Sequence, residues 1–406
     1  MKKTLIAIAA LAATGAFAQS TVTIDGIVDA GYVQSDVKGI KISGIASNLT
    51  STSQINFRVA SDLGGGMKAT FRSETDWSPV SNGANTGTTA VVTTTNAVGS
   101  TGSAITAANT SNGTQGAFGN GEQKLALSGA FGEAAFGAIN NTALAAHGTS
   151  QPFGTALGSG FVGPVGGTNG GAGLGNTGLS GSVVTASVRN DNSFQYTTPS
   201  FAGGLKINYI FRKAQGATAI TNNANYSTTL GAQNQGGVSS LAALYSVGPM
   251  NVILTRDTQD QTGVNTVSGK GVVAAGNRGT YTALAANYNM GAVTVYGGYQ
   301  TNVSTNAAGA EQENRKTFNI AAQYVMGVNT FMANIARGTN NFGATPAPAP
   351  NLVGMGYEYA LSKTAALTAR YERVSGDQAG WILTSGLTGA TNNDRTRMGV
   401  GLRVGF

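Results

Sequence analysis

The side chains able to do chemistry in this 406-residue chain are few, and their kinds limit what that chemistry can be. There is no cysteine and a single histidine, His147. That removes thiol nucleophiles, thiolate metal sites and disulfides, and it leaves the serines without the set of bases that acyl transfer draws on. His147 stands in a glycine-rich stretch with no carboxylate beside it, and one imidazole is too few ligands for an ordinary metal site. Its distinctive capability is titration near neutrality, which would make it a pH gate if its surroundings moved with its charge. An ordinary loop residue is the plainer reading. No catalytic constellation, metal site or cofactor site is expected.

What remains is charge at alternating positions. Arg58, Lys68, Arg72, Lys124, Lys206, Arg212, Arg370, Arg397 and Arg403 fall on the polar parity of apolar runs, as do Asp25, Asp29, Glu74, Asp76, Glu358 and Glu372. Nine cations less six anions leave a basic excess of three. Fixed charges of this kind break no bonds. Gathered on the walls of a narrow aqueous space, they set its potential and hence the local concentration of counter-ions. By distance from the nearest turns, Arg58, Arg72, Lys124 and Arg370 should sit near mid-height. Glu74 and Glu372 lie two residues along from Arg72 and Arg370 and are placed to pair with them. About half of such charges would only solvate and clamp a polar face.

The elements that would hold these residues are strands. Only 10% of residues are charged, against about a quarter in soluble globular chains, while Gly reaches 60 and Pro only 8. Mean hydropathy is −0.02, far too polar for a bundle of membrane helices. A membrane barrel has this composition, because its apolar face is diluted by a polar lumen face and by loops. Period-two hydrophobicity is clearest in the last strand. Met398, Val400, Leu402, Val404 and Phe406 share one face; Arg397, Gly399, Gly401, Arg403 and Gly405 share the other. Slipping that register by one residue would put both arginines in hydrocarbon, at roughly 2–4 kcal/mol each near the midplane.

Short turns at 62–66, 129–132, 200–204, 247–249, 289–291, 326–328 and 361–363 join such runs in pairs. These seven hairpins give fourteen strands, and the runs from Thr21 to Val33 and Thr396 to Phe406 make sixteen. The expected fold is an all-β, 16-stranded antiparallel transmembrane β-barrel. Its short turns would be periplasmic and its loops long and outer, alternating strictly. Ahead of it, Lys2 and Lys3, the apolar run Thr4 to Gly15 and Ala16-Phe17-Ala18 form a signal peptide over residues 1–18. Residues 19–406 would then be a single barrel domain, with the formal charge falling from +7 to +5.

Several segments resemble the trimeric general porins of Gram-negative outer membranes in their beta-proteobacterial form. The run from Thr21 to Gly31 is similar to that family's opening strand. Phe57 to Ala69 resembles its F-R-G-x-E-D-L-G-G-G-L-K-A hairpin, and Leu127 to Gly132 its L-S-G-x-F-G turn. Arg189 to Ser193, with Tyr196 to Phe201, is similar to R-x-x-N-S…Y-x-S-P-x-F. Phe406 matches the terminal aromatic read by the barrel-assembly machinery. The resemblance implies a homotrimer among outer-membrane lipid and lipopolysaccharide, each barrel passing ions and small hydrophilic solutes. It also implies a third outer loop, here 140–188, folded inward with His147 on it and facing wall arginines. The chain departs from the family where Gln54, Gly121 and Ala138 replace usual arginines, and where 140–188 contains no charged residue.

The function expected is a passive diffusion porin with weak-to-moderate anion preference. The alternatives are a closed barrel serving as adhesin or surface receptor, and a substrate-specific anion channel. The many Gly, Ala, Thr and Asn at lumen positions favour an open channel over a plugged one. The family resemblance implies that the loop at the low-complexity stretch 78–120 reaches a neighbouring subunit, whereas its composition alone reads as variable surface decoration.

Overall fold

The computed structural model describes residues 20–37, 40–47, 49–77, 79–80, 118–160, 189–213, 237–260, 278–342, 345–347, 351–375 and 395–406. The stretch read as a signal peptide, almost all of 78–120 and residues 161–188 lie outside the described residues.

In chain order the strands are β1 Thr21–Val37, β2 Ile40–Ser47, β3 Gln54–Gly64, β4 Met67–Asp76, β5 Gln123–Gly129 and β6 Gly132–Asn140. After a helix, α1 Thr142–Ser150, come β7 Arg189–Thr197, β8 Leu205–Arg212, β9 Val238–Val247, β10 Met250–Asp260 and β11 Arg278–Asn289. The rest are β12 Val293–Thr305, β13 Glu311–Met326, β14 Asn329–Phe342, β15 Thr345–Ala347, β16 Asn351–Ala360, β17 Ala365–Ser375 and β18 Arg395–Gly405. All belong to one antiparallel sheet that closes where β1 pairs β18. β3 and β2 occupy successive halves of one row against β1, and β16 and β15 do the same against β14. Eighteen segments less two shared rows give sixteen staves, the expected barrel.

Alternation decides which way each stave faces. On β18, Met398, Val400 and Leu402 are 46%, 58% and 44% exposed, whereas Arg397 is 2% exposed. On β13 and β14, Ile320 and Ile335 stand outward while Ala321 and Ala336 are buried inward. An apolar belt held open to the surroundings belongs in lipid, where every backbone group must be paired, as closure here ensures. The seven short turns join strands as the sequence indicates. Gly64, Gly65 and Gly66 all have positive φ, the conformation that the tight β3–β4 turn requires.

Two connections differ from strict alternation of short and long. β1 does not end near Val33 but runs to Val37 and turns back at once into β2, a hairpin extending one edge. β12 and β13 are joined by only 306–310, although this is the long-loop end. There the Asn306 side chain accepts from the Ala308 and Ala310 amides, and Gly309 takes a φ of 81°, so an Asx-type turn suffices.

Candidate pore constriction

Beyond β6 the chain turns into the barrel. Asn141 caps α1, its side chain accepting from the Ala143 amide at 3.1 Å. Ala143 and Ala146 pack on inward-facing Tyr281, Ala283 and Ala285, with Ile253 alongside. Thr142 Oγ1 lies 2.6 Å from Thr255 Oγ1 and 2.8 Å from Ser240 Oγ, beside the buried Asp257. From α1 the segment follows the inner wall. The Asn287 amide group donates to the Thr149 carbonyl, that of Asn319 to Ser150, and that of Asn334 to Gly158. It ends at Glu372, whose Oε2 accepts from the Gly158 and Gly160 amides at 3.2 and 2.9 Å. Phe153 lies under the Arg370 guanidinium, 5.1 Å from ring centroid to Cζ. Residues 141–160 therefore lie against the inner side of staves β9 to β17; the rest of the 140–188 stretch, 161–188, lies outside the described residues.

That placement changes the standing of three charges. Arg370, Glu372 and Arg397 are 5%, 0% and 2% exposed, covered rather than facing water. Glu372 does not pair with Arg370. Its partner is Arg397, directly opposite on β18, with Nη2 and Nε at 2.6 and 3.0 Å from Oε1. A cross-strand neighbour lies nearer than a residue two along the same strand, so it takes the carboxylate. Arg370 turns to Glu358 at 2.5 Å, and Glu358 also meets Arg403 at 3.4 Å. Burying ion pairs is costly unless all their groups are satisfied; here loop amides fill the carboxylate's remaining sites.

The opposite arc carries charge toward the lumen. Arg58, Arg72 and Lys124 stand side by side on β3, β4 and β5. Because both cross-strand neighbours of Arg72 are cations, it reaches along its own strand to Glu74 at 2.5 Å, the pairing the sequence suggests. Its other branch meets Glu122 at 2.6 Å. Arg58 pairs Asp25 and Lys124 pairs Glu133, each at 2.5 Å. Arg189, at the start of β7, meets Glu74 at 2.5 Å and Asp76 at 3.2 Å. Side-chain exposure runs from 23% to 46% for these four cations, but is 5% for Glu74 and 9% for Glu122. The central carboxylates thus lie beneath their arginines, while at the flanks Asp25 and Glu133 are 36% and 34% exposed beside Arg58 and Lys124.

The remaining assigned residues are dispersed. Lys68 opposes Asp62 at the first turn, Lys206 is exposed near the third, and Arg212 is 6% exposed at the far end of β8. Asp29 is buried and engaged by the 49–53 segment. Gln54, Gly121 and Ala138 surround the cation row, Gly121 so close to Glu74 that no side chain fits there. Sequence reasoning passes over Glu122, Glu133 and Asp257, and takes Arg189 only as part of a motif. Arg189 and Glu122 adjoin long loops, where parity cannot be counted from a turn. His147 is 5% exposed on α1; burial pushes its imidazole down to about 4, against the opposing pull of a Gly154 backbone hydrogen bond.

A closed sixteen-stave barrel with an apolar outer belt and a chain segment folded against its inner wall defines a membrane channel of the outer-membrane type. The sequence model of the Gram-negative porins matches residues 4–379, and the chain belongs to that family. Porins are channels and not enzymes, and they reside in the outer membrane. The chain is 26% identical over 412 aligned residues to an outer membrane porin protein of Bordetella pertussis, covering 91% of this chain and 93% of that one. It is 51% identical to outer membrane porin protein 32 of Delftia acidovorans, but over 74 residues only, spanning 18% of this chain and 21% of that relative. Among solved structures, an anion-selective porin from Comamonas acidovorans superposes with a TM-score of 0.65 at 21% identity, covering 96% and 100% of the two chains. OmpT of Vibrio cholerae does so with a TM-score of 0.60 at 12% identity, covering 95% and 98%.

Proposed function

We propose that this porin passes ions and small hydrophilic solutes by passive diffusion with a preference for anions, and that Arg58, Arg72, Lys124 and Arg189 supply it. The observation that carries this is the lateral row of cations whose central carboxylates are covered. In a narrow, low-dielectric passage the charges nearest the water weigh most, and at the centre of the row these are Arg72 and Arg189 over the covered Glu74 and Glu122, so chloride is concentrated there relative to potassium. The Comamonas neighbour, described as anion-selective, is consistent with it. The same reading extends to a homotrimer among outer-membrane lipid and lipopolysaccharide, exported by a leader cleaved after Ala18 and assembled through the strand ending at Phe406. Family membership and the apolar belt support these parts.

The test is single-channel recording in a planar bilayer under a KCl gradient at low salt, where screening is weakest. Stepwise ohmic conductance reversing toward the chloride equilibrium potential is expected. Replacing Arg58, Arg72 and Lys124 by Gln should move that reversal toward the potassium side. Cation preference in the natural protein would sink the charge assignment. Silent but folded barrels would instead favour a receptor or adhesin.

A further inference from the structure

A second piece of chain leaves the sheet on the inner side, between β2 and β3. There the row along β1 is interrupted, and residues 49–53 leave it. Leu49 is 1% exposed and forms a buried cluster with Val33 and Ala46. Its methyl lies over Gly399, where an added Cβ would stand only 3.0 Å from Leu49 Cδ2 and from Val33 Cγ2. Gly399 shares the inner parity of Arg397, so this contact is inside the barrel.

Asp29 fixes the segment. Its Oδ2 accepts from the Thr50 amide at 2.6 Å, the Thr50 hydroxyl at 2.8 Å and the Ser51 amide at 3.3 Å. Ser53 closes the far end, its Oγ accepting from the Asp29 amide at 3.1 Å. A buried carboxylate gathering three donors from a short segment over-determines that segment's path, since each donor would otherwise be left without a partner. Leu49, Thr50 and Ser53 are buried, while Ser51 and Thr52 remain partly exposed.

The level at which this happens matters. Gly399, under Leu49, is directly opposite Arg370, and Arg370 carries Phe153 of the third loop. Phe153 and Leu49 therefore cover two directly paired residues of β17 and β18, which places the two segments at one level of the barrel.

We propose that residues 49–53, held by Asp29, are a second constriction element that sets the bore of the channel jointly with residues 141–160. This rests on the porin reading, since it presupposes a conducting lumen. Asp29 is a positioning residue here. Ser51 and Thr52 are the groups a passing solute meets.

Absence of native cysteine allows a clean test. In Ser51→Cys, a bulky thiol-reactive methanethiosulfonate added during bilayer recording should lower each open step, roughly 1.5-fold or more, because conductance follows the cross-section of the narrowest part. Asp29→Ala should raise conductance and admit larger neutral polyethylene glycols, with the folded barrel still migrating as such on unheated gels. If Ser51→Cys is labelled to completion, by mass, with no change in current, and Asp29→Ala keeps the natural size cut-off, the second constriction is refuted. Natural-protein conductance in the same bilayers reports separately on the porin reading.

Discussion

His147 lies on α1 with its imidazole almost wholly covered, and burial holds its proton affinity down to about 4 from an ordinary value near 6.5. The docked helix therefore binds fewer protons than a released one between those two values. Docking is at full strength above about pH 6.5 and weakens as pH falls toward 4. Channel current should stay unchanged from pH 8 to 6.5 and become noisy only on approaching 4, and His147→Gln should shift that acid onset. A sharp step near pH 6.5 in the natural protein would mean that His147 meets water. The sequence shows that a lone histidine sits in the loop, but not that α1 hides it, because hydrophobic spacing in 142–150 is too even in alanine to mark a buried face. Charge pairing is legible only in part for a related reason. Arg72 and Glu74 meet as their spacing suggests because cations flank Arg72 on both sides; Glu372 is taken by Arg397, and register must be known before that choice is visible.

Staves and turns are the elements that sequence reads well, since period two and positive-φ glycines are local properties. The elements it reads poorly are those whose shape depends on the barrel interior. Small residues on the inner face suggest an open rather than a plugged lumen; in the structure several of them are seats. An added Cβ at Gly298 would stand 2.7 Å from Ser150, and at Gly356 it would stand 2.9 Å from Phe153. Gly354 faces the Gly158 carbonyl even more closely. These absences of side chain let a loop lie flat on a sheet, as close backbone approach demands. Gly354→Val should accordingly lift 153–160 from the wall. Its signature is larger, noisier single-channel current and lower thermal stability. Gly44→Val, on β2 with open space around it, should alter neither and serves as the control. Equal behaviour of the two variants would show that the contact is incidental. The early β1–β2 hairpin and the brief 306–310 turn escape the sequence because no turn signal distinguishes an extended hairpin from a longer loop.

The whole barrel depends on one seam where the chain's beginning meets its end. Phe406 and Gly26 exchange backbone hydrogen bonds at 2.9 and 3.0 Å, and the Phe406 ring covers Gly26. A closed sheet has no spare edge, so loss of the last pair exposes backbone groups to lipid, where they have no substitute partner. Deleting Phe406 should reduce the yield of heat-modifiable folded barrel on refolding into detergent, and Phe406→Tyr should restore it. Undiminished refolding of the deletion, with failure in cells alone, would assign the residue to recognition by assembly machinery and not to the seam. The shelf formed by α1, 151–160 and 49–53 has a consequence at this same scale. Among the described residues it coats the inner surface from β9 round to β1, and the exposed cation row occupies the staves from β3 to β7. The water column is then eccentric, and solutes travel along one arc of the circumference. Substitutions on that arc retune the charges a solute passes, whereas substitutions in the staves beneath the shelf reach the cargo only by moving the shelf, so adaptation of the channel's charge has a short stretch of chain on which to act.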